Sequence, residues 1–314
     1  MIVFRSPEEV PQDFGRTVVA IGKFDGVHIG HQAVIRRMRE DAAALGARTV
    51  AVTFDRNPLA VLRPEICPKS VVDVERKLEL LGDLDLDATL LLTFDEHLAA
   101  RTAEDFVLNI LVRALKVRAV LVGGNFRFGN RGRGTPELLR ELGEEHGFSV
   151  DVVDDVFLPD SSQKVSSTWI RERLDAGDVA LAAQALGRPV SVTGEVVHGL
   201  KRGRELGFPT ANLSETVDAF IPADGVYAGW LHDGGERHPA AISVGTNPTF
   251  DDVPRRQVEA HVIGLDDLDL YGHVVTVEFA DRLRGMVAFE GIDALIAQMA
   301  SDVADARAVL GLTT

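Results

Sequence analysis

The sequence of 314 residues contains a single cysteine, Cys67, which excludes an internal disulfide and a cage of thiolate metal ligands. Low cysteine usage is typical of a reducing compartment, so we expect a cytoplasmic protein. The sequence also lacks any apolar run of the roughly 18 residues that a membrane span needs. Residues 1–10 include Arg5, Glu8 and Glu9 and no apolar core of a signal peptide, so we expect neither export nor a membrane partner.

Positive charge is scarce as well, since 33 Lys and Arg face 48 Asp and Glu, for a net charge of −15. This balance argues against a nucleic-acid partner, because phosphate backbones are held by accumulated Lys and Arg. Residues 125–134 and 196–204 nevertheless each carry three cations and no acid. Such islands suit small phosphorylated ligands better than polymers, although a solvated loop explains each of them as well.

The first half alternates apolar strands with amphipathic helices at the spacing of β-α-β units. We predict strands at residues 18–21, 49–53, 88–92, 119–122 and 150–153. We predict helices at residues 31–45, 74–81, 104–115 and 179–186 and after Thr135-Pro136, the first with an apolar face of Val34, Ile35, Met38, Ala42 and Leu45. This pattern predicts an α/β domain with a doubly wound, Rossmann-like parallel sheet. Ligands bind such sheets at the carboxyl ends of strands, so the loops at 22–31, 54–58 and 123–134 should converge.

The alternation ends near Gly187-Arg188-Pro189, which we take as the boundary between domains of residues 1–186 and 187–314. Downstream, residues 190–197, 226–231, 240–244, 258–263 and 274–279 predict strands separated by turns. An antiparallel β-barrel would hide that many strand edges. Residues 292–310 predict a closing helix, whose apolar side is formed by Leu295, Ile296, Met299, Val303, Ala306 and Leu310.

The segment Gly22-Lys23-Phe24-Asp25-Gly26-Val27-His28-Ile29-Gly30-His31 joins the first of these strands to a helix. Glycines let the backbone approach a ligand closely, and a helix start favours an anion, so the segment suits a phosphate. A metal site is an alternative for the two histidines, but no Cys, Asp or Glu at ligand spacing completes it. Ordinary residues at a helix start are the other alternative.

The residues of this segment resemble a known signature. His28-Ile29-Gly30-His31 looks like the motif of the nucleotidyltransferase superfamily, which class I aminoacyl-tRNA synthetases share, and Phe24-Asp25-Gly26 resembles its flavin adenylyltransferase branch. In that superfamily such histidines stabilise the charge that develops on an α-phosphate during adenylyl transfer. The resemblance implies that His28 and His31 are catalytic, and that ATP is bound by Gly22, Phe24, Asp25, Gly26 and Gly30.

Two later segments extend the resemblance to bacterial bifunctional riboflavin kinase/FMN adenylyltransferases. Residues 122–129 are similar to their flavin-binding loop, which implies flavin contacts from Asn125, Phe126 and Phe128, although a turn with two buried aromatics explains the segment too. Residues 164–171 place hydroxyls and cations at a helix start and resemble the family's Ser-Ser-Thr-x-x-Arg motif. The resemblance assigns the ATP phosphates to Lys164, Ser167, Thr168 and Arg171.

The chain departs from the family pattern in the first domain at two places. Many members have Pro-His-Pro where this chain has Arg56-Asn57-Pro58, so a role for that histidine has no support here. Position 164 is Lys where some members have Arg, which keeps the charge but loses the bidentate fork.

The second domain contains Pro209-Thr210-Ala211-Asn212, which resembles a motif specific to riboflavin kinases. A hydroxyl and an amide oxygen are hard donors that Mg²⁺ accepts beside phosphates, although a proline turn alone explains the segment. Residues 225–229, 243–250 and 270–272 also resemble this family. The resemblance implies Mg²⁺ ligation by Thr210 and Asn212, and ATP or flavin contacts from Gly199, Lys201, Gly203, Arg204, Phe208 and Arg284.

Glu259 lies among apolar neighbours in a predicted strand, where an ordinary solvent-facing carboxylate is the simplest explanation. In riboflavin kinases the Glu at this point, near a His such as His261, is the general base for the ribityl 5′-hydroxyl. The usual Thr before that His is Ala260 here. Phosphoryl transfer needs little beyond a positioned acceptor and a Mg²⁺ clamp, so Glu259 with Thr210 and Asn212 would suffice.

Residues 18–310 therefore resemble a bifunctional enzyme that phosphorylates riboflavin to FMN, releasing ADP, and adenylylates FMN to FAD, releasing pyrophosphate. ATP is the co-substrate of both steps and Mg²⁺ the expected cofactor. One alternative is a synthetase-like adenylate-forming enzyme, but residues 187–314 hold 10 Lys and Arg against 19 Asp and Glu, which does not suit tRNA. The second alternative is a flavin-binding module without catalytic activity. Flavin binding alone does not require Thr210, Asn212 or Glu259, so their presence favours an enzyme. The sequence gives no indication of oligomeric state.

Overall fold

The computed structural model describes residues 1–198, 206–214, 219–247, 255–265 and 269–312. It divides into two compact units, Met1–Ser166 and Ser167–Thr314. The helices predicted near residues 167 and 179 group with the strands that follow them, so the second unit begins before residue 187. Our boundary between the functional domains stays a prediction. Every helix in the described ranges is too short or too polar to cross a membrane.

The first unit is built on a parallel sheet of six strands in the order β1-β4-β3-β2-β5-β6. The strands are β1 (Ile2–Phe4), β2 (Thr17–Ile21), β3 (Arg48–Phe54), β4 (Ala88–Leu92), β5 (Val117–Gly123) and β6 (Ser149–Val153). Alternate residues of β2 enter two separate apolar layers, Val19 and Ile21 on one face, Val18 and Ala20 on the other. Burial on both faces explains the continuous apolar runs and confirms the predicted doubly wound sheet.

The helices of the first unit are α1 (Ile29–Leu45), α2 (Leu59–Leu62), α3 (Val74–Gly82), α4 (Glu96–Ala100), α5 (Ala103–Phe106) and α6 (Pro136–His146). Ile35, Met38 and Ala42 of α1 are buried as predicted. The prediction for Leu45 is wrong, because this residue lies in the last turn before the left-handed Gly46 and is 51% exposed. Thr102 caps α5, which continues as a π-helix, Val107–Ala114, that the periodicity did not predict.

The second unit is an antiparallel barrel, as predicted, and its six strands close in the order β10-β11-β8-β7-β12-β9. Its elements are α7 (Ser167–Asp175), α8 (Val179–Leu186), β7 (Val190–Val197), β8 (Ala211–Leu213), β9 (Gly225–Asp233), β10 (Glu236–Asn247), β11 (Arg255–Val262), β12 (Val274–Arg284) and α9 (Ile292–Val309). The short strands β1 and β8 were not predicted.

Helix α9 packs on the outside of the barrel, where its Ala306 contacts Ala228 and Ile263. The other members of the predicted apolar side, among them Leu295 and Met299, are only half-buried. Asp302 lies in the same stripe and is buried, because Arg284 of β12 donates to both of its oxygens at 2.7 and 2.6 Å. The stripe therefore joins α9 to the barrel by a bidentate ion pair as well as by apolar contact.

Candidate active sites

The first site begins in the turn between β2 and α1, whose backbone is tightly folded. Phe24, Gly26 and Val27 have φ values of 48°, 82° and 41°, in the left-handed region. This region is costly for a β-branched residue such as Val27, and strain of this kind clusters at functional sites. The ring of Phe24 packs directly on Gly22, since a β-carbon there would lie in ordinary van der Waals contact with it at 3.4 Å.

The two histidines of this turn lie face to face. Their ring centroids are 3.6 Å apart with an interplanar angle of 17°, and the ring of Phe24 meets His31 edge-on at 5.3 Å. His28 is the N-cap of α1, with its Nδ1 accepting from the backbone N–H of His31 at 3.3 Å. Gly30 leaves room for this ring, because a β-carbon at position 30 would lie 3.0 Å from His28 Cε1. Gly30 therefore accommodates the ring of His28 where it stacks on His31.

Burial favours the neutral form of His31. It lowers the pKa of His31 well below the ordinary 6.5, and the charges of His28, Lys23 and Lys77 act in the same direction. Within the part of the chain that the structure describes, the buried Nδ1 of His31 has no hydrogen-bond partner. A negative charge beside the ring would raise this pKa and attract the imidazole N–H. The site is therefore prepared to receive an anion at the positive end of α1.

Two of the three predicted loops lie together at the carboxyl ends of β2 and β3. Thr53 Oγ1 donates to the carbonyl of Lys23 at 3.1 Å, and Lys77 Nζ donates to the carbonyl of Phe54 at 2.6 Å. Asp25 accepts from the backbone N–H of Val71 at 2.7 Å. Lys23, Asp25 and Lys77 line a cavity of about 30 Å³ at this edge of the sheet.

The third loop holds the residues expected to contact flavin. Asn125 is exposed, Phe126 is half-buried and Phe128 is buried. The rings of Phe126 and Phe128 are stacked 5.4 Å apart, and Phe128 lies against Phe106. The buried ring of Phe128 packs against the ring of Phe126. Of the three residues expected to contact flavin, only Asn125 and Phe126 are accessible to solvent.

The predicted phosphate motif falls at a helix start, as expected from its hydroxyls. Helix α7 begins at Ser167, so Ser167 and Thr168 occupy its first turn and Arg171 lies one turn later. The backbone N–H groups of a first turn suit a phosphate. Lys164 precedes the helix and forms an ion pair with Asp155 at 2.7 Å.

The second site lies on the outer face of the barrel, where the strand register brings its residues together. Glu259 of β11 is paired with Asn212 of β8 on one side and with Ser243 of β10 on the other. Thr210 Oγ1 donates to Glu259 Oε2 at 3.5 Å, and Asn212 Nδ2 donates to Thr210 Oγ1 at 3.2 Å. The structure thus joins the predicted base and the two predicted metal ligands in one cluster.

Aromatic side chains border this cluster. His261 lies two residues after Glu259 on the same face, and its Nδ1 is 2.8 Å from the carbonyl oxygen of Pro209. The predicted ligand residue Phe208 meets the ring of His261 edge-on at 5.4 Å. The register therefore places Phe208 beside the residues expected to carry the chemistry.

Burial raises the pKa of the half-buried Glu259 above its ordinary 4.5, while the hydrogen bond from Thr210 opposes this shift. A raised pKa makes the carboxylate a better proton acceptor at neutral pH. The hydroxyl of Thr210, the amide of Asn212 and this carboxylate also form an oxygen donor set that fits Mg²⁺. Asn212 would need to turn its amide, because its Oδ1 now faces Gln257 Nε2 at 3.5 Å.

The described residues contain no group of three His, Cys, Asp or Glu side chains that could hold a metal. Mg²⁺ in phosphoryl-transfer sites commonly uses one or two carboxylates together with substrate phosphates, so a smaller protein donor set still fits. Of the remaining predicted ligand residues, Arg284 is held by Asp302 as described above. Gly199, Lys201, Gly203 and Arg204 lie outside the described residues.

Sequence reasoning missed two buried charged residues, Lys77 and Asp302, which are 7% and 5% exposed. Each interrupts an apolar stripe at helical spacing, Lys77 between Val74 and Leu81 in α3, Asp302 between Met299 and Ala306 in α9. A charged residue at a core-facing position of an amphipathic helix is the signal that would have found both.

Comparison with known proteins covers both sites. A family model described as FAD synthetase matches residues 10–169, and one described as riboflavin kinase matches residues 186–310. The bifunctional riboflavin kinase/FMN adenylyltransferase of Escherichia coli strain K12 is 35% identical over 297 residues, covering 94% of this chain and 93% of the relative. That of Listeria monocytogenes is 36% identical over 294 residues, covering 93% and 91%.

A crystal structure described as a macrolide-efflux protein from Streptococcus pneumoniae shares the fold. It is 30% identical to this chain, covers 98% of both chains and has a TM-score of 0.87. Two family matches in the same order as the two sites, and enzymes related over nearly the whole length, lead to one assignment. The chain belongs to the family of bifunctional riboflavin kinase/FMN adenylyltransferases.

Proposed function

We propose that this protein makes FMN and FAD from riboflavin with two molecules of ATP. One region phosphorylates riboflavin and releases ADP, and the other adenylylates FMN and releases pyrophosphate. The observation that carries the proposal is the presence of two separate reactive clusters, each within its own family match. The stacked histidines fall in residues 10–169, and the Thr210, Asn212 and Glu259 cluster falls in residues 186–310.

In the kinase reaction, Glu259 accepts the proton of the ribityl 5′-hydroxyl as this oxygen attacks the γ-phosphorus of ATP. The raised pKa of Glu259 suits that transfer, and the hydrogen bond from Thr210 orients the carboxylate. Thr210 and Asn212 hold the Mg²⁺ that accompanies ATP, which when bound neutralises phosphate charge. Phe208 and His261 border the acceptor side of the cluster.

In the adenylyltransferase reaction, a phosphate oxygen of FMN attacks the α-phosphorus of ATP, and pyrophosphate leaves. This nucleophile is already ionised at neutral pH, so the site needs charge stabilisation rather than a base. His28 and His31 supply it together with the start of α1, where Gly22, Phe24, Asp25, Gly26 and Gly30 shape the turn. Lys164, Ser167, Thr168 and Arg171 contact the ATP phosphates, while Asn125 and Phe126 contact the flavin.

The division of labour follows the predicted domains, with adenylyl transfer assigned to residues 1–186 and riboflavin phosphorylation to residues 187–314. The family matches at residues 10–169 and 186–310 support this division. We place the enzyme in the cytoplasm, where its single cysteine would stay reduced. Its small-molecule partners are riboflavin, FMN, FAD, ATP, ADP and pyrophosphate.

One incubation tests the proposal. Purified protein is mixed with riboflavin, ATP and Mg²⁺, and the flavins are separated by chromatography; a second sample receives FMN instead of riboflavin, and a third receives a chelator. We expect FMN followed by FAD, FAD alone from added FMN, and neither product with the chelator. Bound but unconverted riboflavin would favour the non-catalytic flavin-binding module, and amino-acid-dependent exchange of pyrophosphate into ATP would favour the synthetase-like enzyme.

A further inference from the structure

The loop after β5 carries three exposed arginines to which the proposed function gives no role: Arg127, Arg131 and Arg133. Within the residues that the structure describes, none of the three belongs to an ion pair. Glu137 at the start of α6 is within electrostatic reach of Arg127, but its ion pair is with Arg140, at 4.0 Å. In a chain of net charge −15, these guanidinium groups create a local positive field that suits an anion.

The backbone of this loop is firmly held. Phe128 and Gly134 exchange backbone hydrogen bonds at 3.2 and 2.9 Å, and the N–H of Asn130 donates to the carbonyl of Arg101 at 2.6 Å. Gly134 also lies directly under the ring of Phe128, where a β-carbon would be only 2.6 Å away. The points from which the arginine side chains leave the backbone are therefore fixed before a ligand binds, which lowers the entropic cost of binding.

The same contacts bring the arginines together beside Phe126. Nη1 of Arg127 donates to the carbonyl of Phe126 at 2.7 Å, so this guanidinium lies next to the residue expected to contact the flavin. A β-carbon at Gly132 would lie 3.5 Å from that of Arg127. The neighbours of Gly132 are Arg131 and Arg133, so the three side chains start close to one another. Arg131 has a left-handed φ of 56°, a conformation that clusters at functional sites when the residue is not glycine.

A flavin loop in a bifunctional enzyme must distinguish two flavins. Riboflavin and FMN have the same isoalloxazine ring, so contacts of Asn125 and Phe126 with that ring cannot separate them. The two differ in the 5′-phosphate, which carries a charge of about −1.5 to −2 at neutral pH. Riboflavin in the adenylyltransferase site would occupy it without offering a phosphate oxygen to react. Guanidinium groups bind phosphate through charge-assisted, bidentate hydrogen bonds, so arginines can make this distinction.

We propose that the three arginines of this loop select FMN over riboflavin at the adenylyltransferase site by attracting its 5′-phosphate. The inference rests on the proposed function, because it requires Asn125 and Phe126 to hold the flavin ring. The arginines act on binding, whereas stabilisation of the α-phosphate charge stays with His28 and His31. They should therefore determine the KM for FMN and leave kcat nearly unchanged.

The adenylyltransferase reaction of the full chain tests this inference with two flavins that differ in charge. Initial rates of FAD formation at saturating ATP give the KM for FMN. Lumiflavin, which has the ring but neither the ribityl chain nor the phosphate, serves as the competitive inhibitor. Raising NaCl from about 0.01 to about 0.15 M screens exposed charges, so the parent KM for FMN should rise several-fold. The Ki of the uncharged lumiflavin should not change.

Two triple variants complete the test. The combination of Arg127→Gln, Arg131→Gln and Arg133→Gln should raise the KM for FMN at least about tenfold and remove its salt dependence, while the Ki of lumiflavin stays at the parent value. The matched control loses the same three charges at exposed arginines elsewhere in the same unit, through Arg39→Gln, Arg113→Gln and Arg118→Gln, and should keep the parent values. Thermal melting and the riboflavin kinase rate verify that both proteins are folded.

The inference is overturned if the loop variant keeps the parent KM for FMN, or if its Ki for lumiflavin rises as much as that KM, since the loop would then only shape the ring site. An increase confined to the KM for ATP would assign the arginines to the other substrate and would overturn it too. A parent KM for FMN that does not respond to salt overturns it without any variant. Failure of the parent protein to make FAD from FMN would instead contradict the proposed function, so the two failures are distinguishable.

Discussion

The two sites are built by different kinds of backbone. The histidine pair depends on a turn whose left-handed residues fold Phe24 and His28 against the start of α1, so local conformation decides its geometry. The Glu259 cluster depends on the pairing of β11 with β8 and β10, so residues distant in sequence decide its geometry. A local motif is visible in a sequence, whereas a cluster made by register becomes visible only in the fold.

Burial also acts on the two sites with opposite results. It lowers the pKa of His31 and raises that of Glu259, because it disfavours the charged form of each group. A neutral His31 can donate a hydrogen bond to a negatively charged ligand, and the carboxylate of Glu259 can accept a proton. The two reactions should therefore respond differently to substitution and to pH.

The largest expected effect is on the barrel site. Glu259→Gln removes the proton acceptor and nearly preserves shape, so riboflavin phosphorylation should fall by about 10² to 10⁴. FAD formation from added FMN should remain at the parent rate. Glu236→Gln, at an exposed carboxylate of β10, is the matched control. Phosphorylation at the parent rate in Glu259→Gln would contradict the assignment of the base.

The reciprocal change is at the histidine pair. His28→Ala removes a ring that is positioned for the developing α-phosphate charge, so FAD formation should fall by about 10² to 10³. Riboflavin phosphorylation should persist, and His97→Ala, at an exposed histidine of α4, should change neither rate. Equal loss of both activities in a folded His28→Ala protein would show that the two sites are not separate.

The position of the boundary has a smaller, structural effect. A chain of residues 167–314 keeps the contacts of α7 and α8 with the rest of their unit, including the hydrogen bond from Ala223 N–H to the Leu174 carbonyl at 2.9 Å. A chain of residues 186–314 loses these contacts and the buried Val179 and Ala182. We expect both to phosphorylate riboflavin without making FAD, and the shorter one to be about 3 kcal/mol less stable to urea. Equal stability would place α7 and α8 outside the kinase fold.

The smallest effect is the response of the kinase to acid. Because the pKa of Glu259 is raised, the active carboxylate form is lost as pH falls, at a pH above the ordinary 4.5. Riboflavin phosphorylation should therefore decline toward about tenfold per pH unit below that pKa. The residual rate of Glu259→Gln should lack this step. A parent profile that is flat down to pH 4.5 would contradict the role of the carboxylate.

The sequence predicted those features that repeat at a fixed spacing. Strand β2, helix α1 and the barrel strands were predicted from runs and alternations of apolar residues. The barrel itself was predicted because closure pairs the edges of that many strands. Strands β1 and β8 are three residues long, too short to show a period, and form because β4 and β11 provide hydrogen-bonding partners. Leu45 was misjudged because a helical pattern does not reveal where the sheet beneath it ends.

The hydrophobic pattern of the sequence also could not predict which residues contact a buried charged side chain. Lys77 donates to the carbonyl of Phe54 at the end of β3, and the partner of Asp302 comes from β12, so neither contact is local. The predicted site residues Thr210, Asn212 and Glu259 were named by resemblance, and only the register explains why they meet. Their roles in catalysis stay predictions that the substitutions above test.

The register of β11 also limits which insertions and deletions this gene can accept. Val258 and Ala260 are buried on either side of Glu259, so a shift by one residue would turn the carboxylate into the barrel and two apolar side chains toward water. A shift by two residues would restore the face but separate Glu259 from Asn212. Changes of length should therefore be rejected throughout β11, whatever their number of residues, even where substitutions on its outer face are accepted.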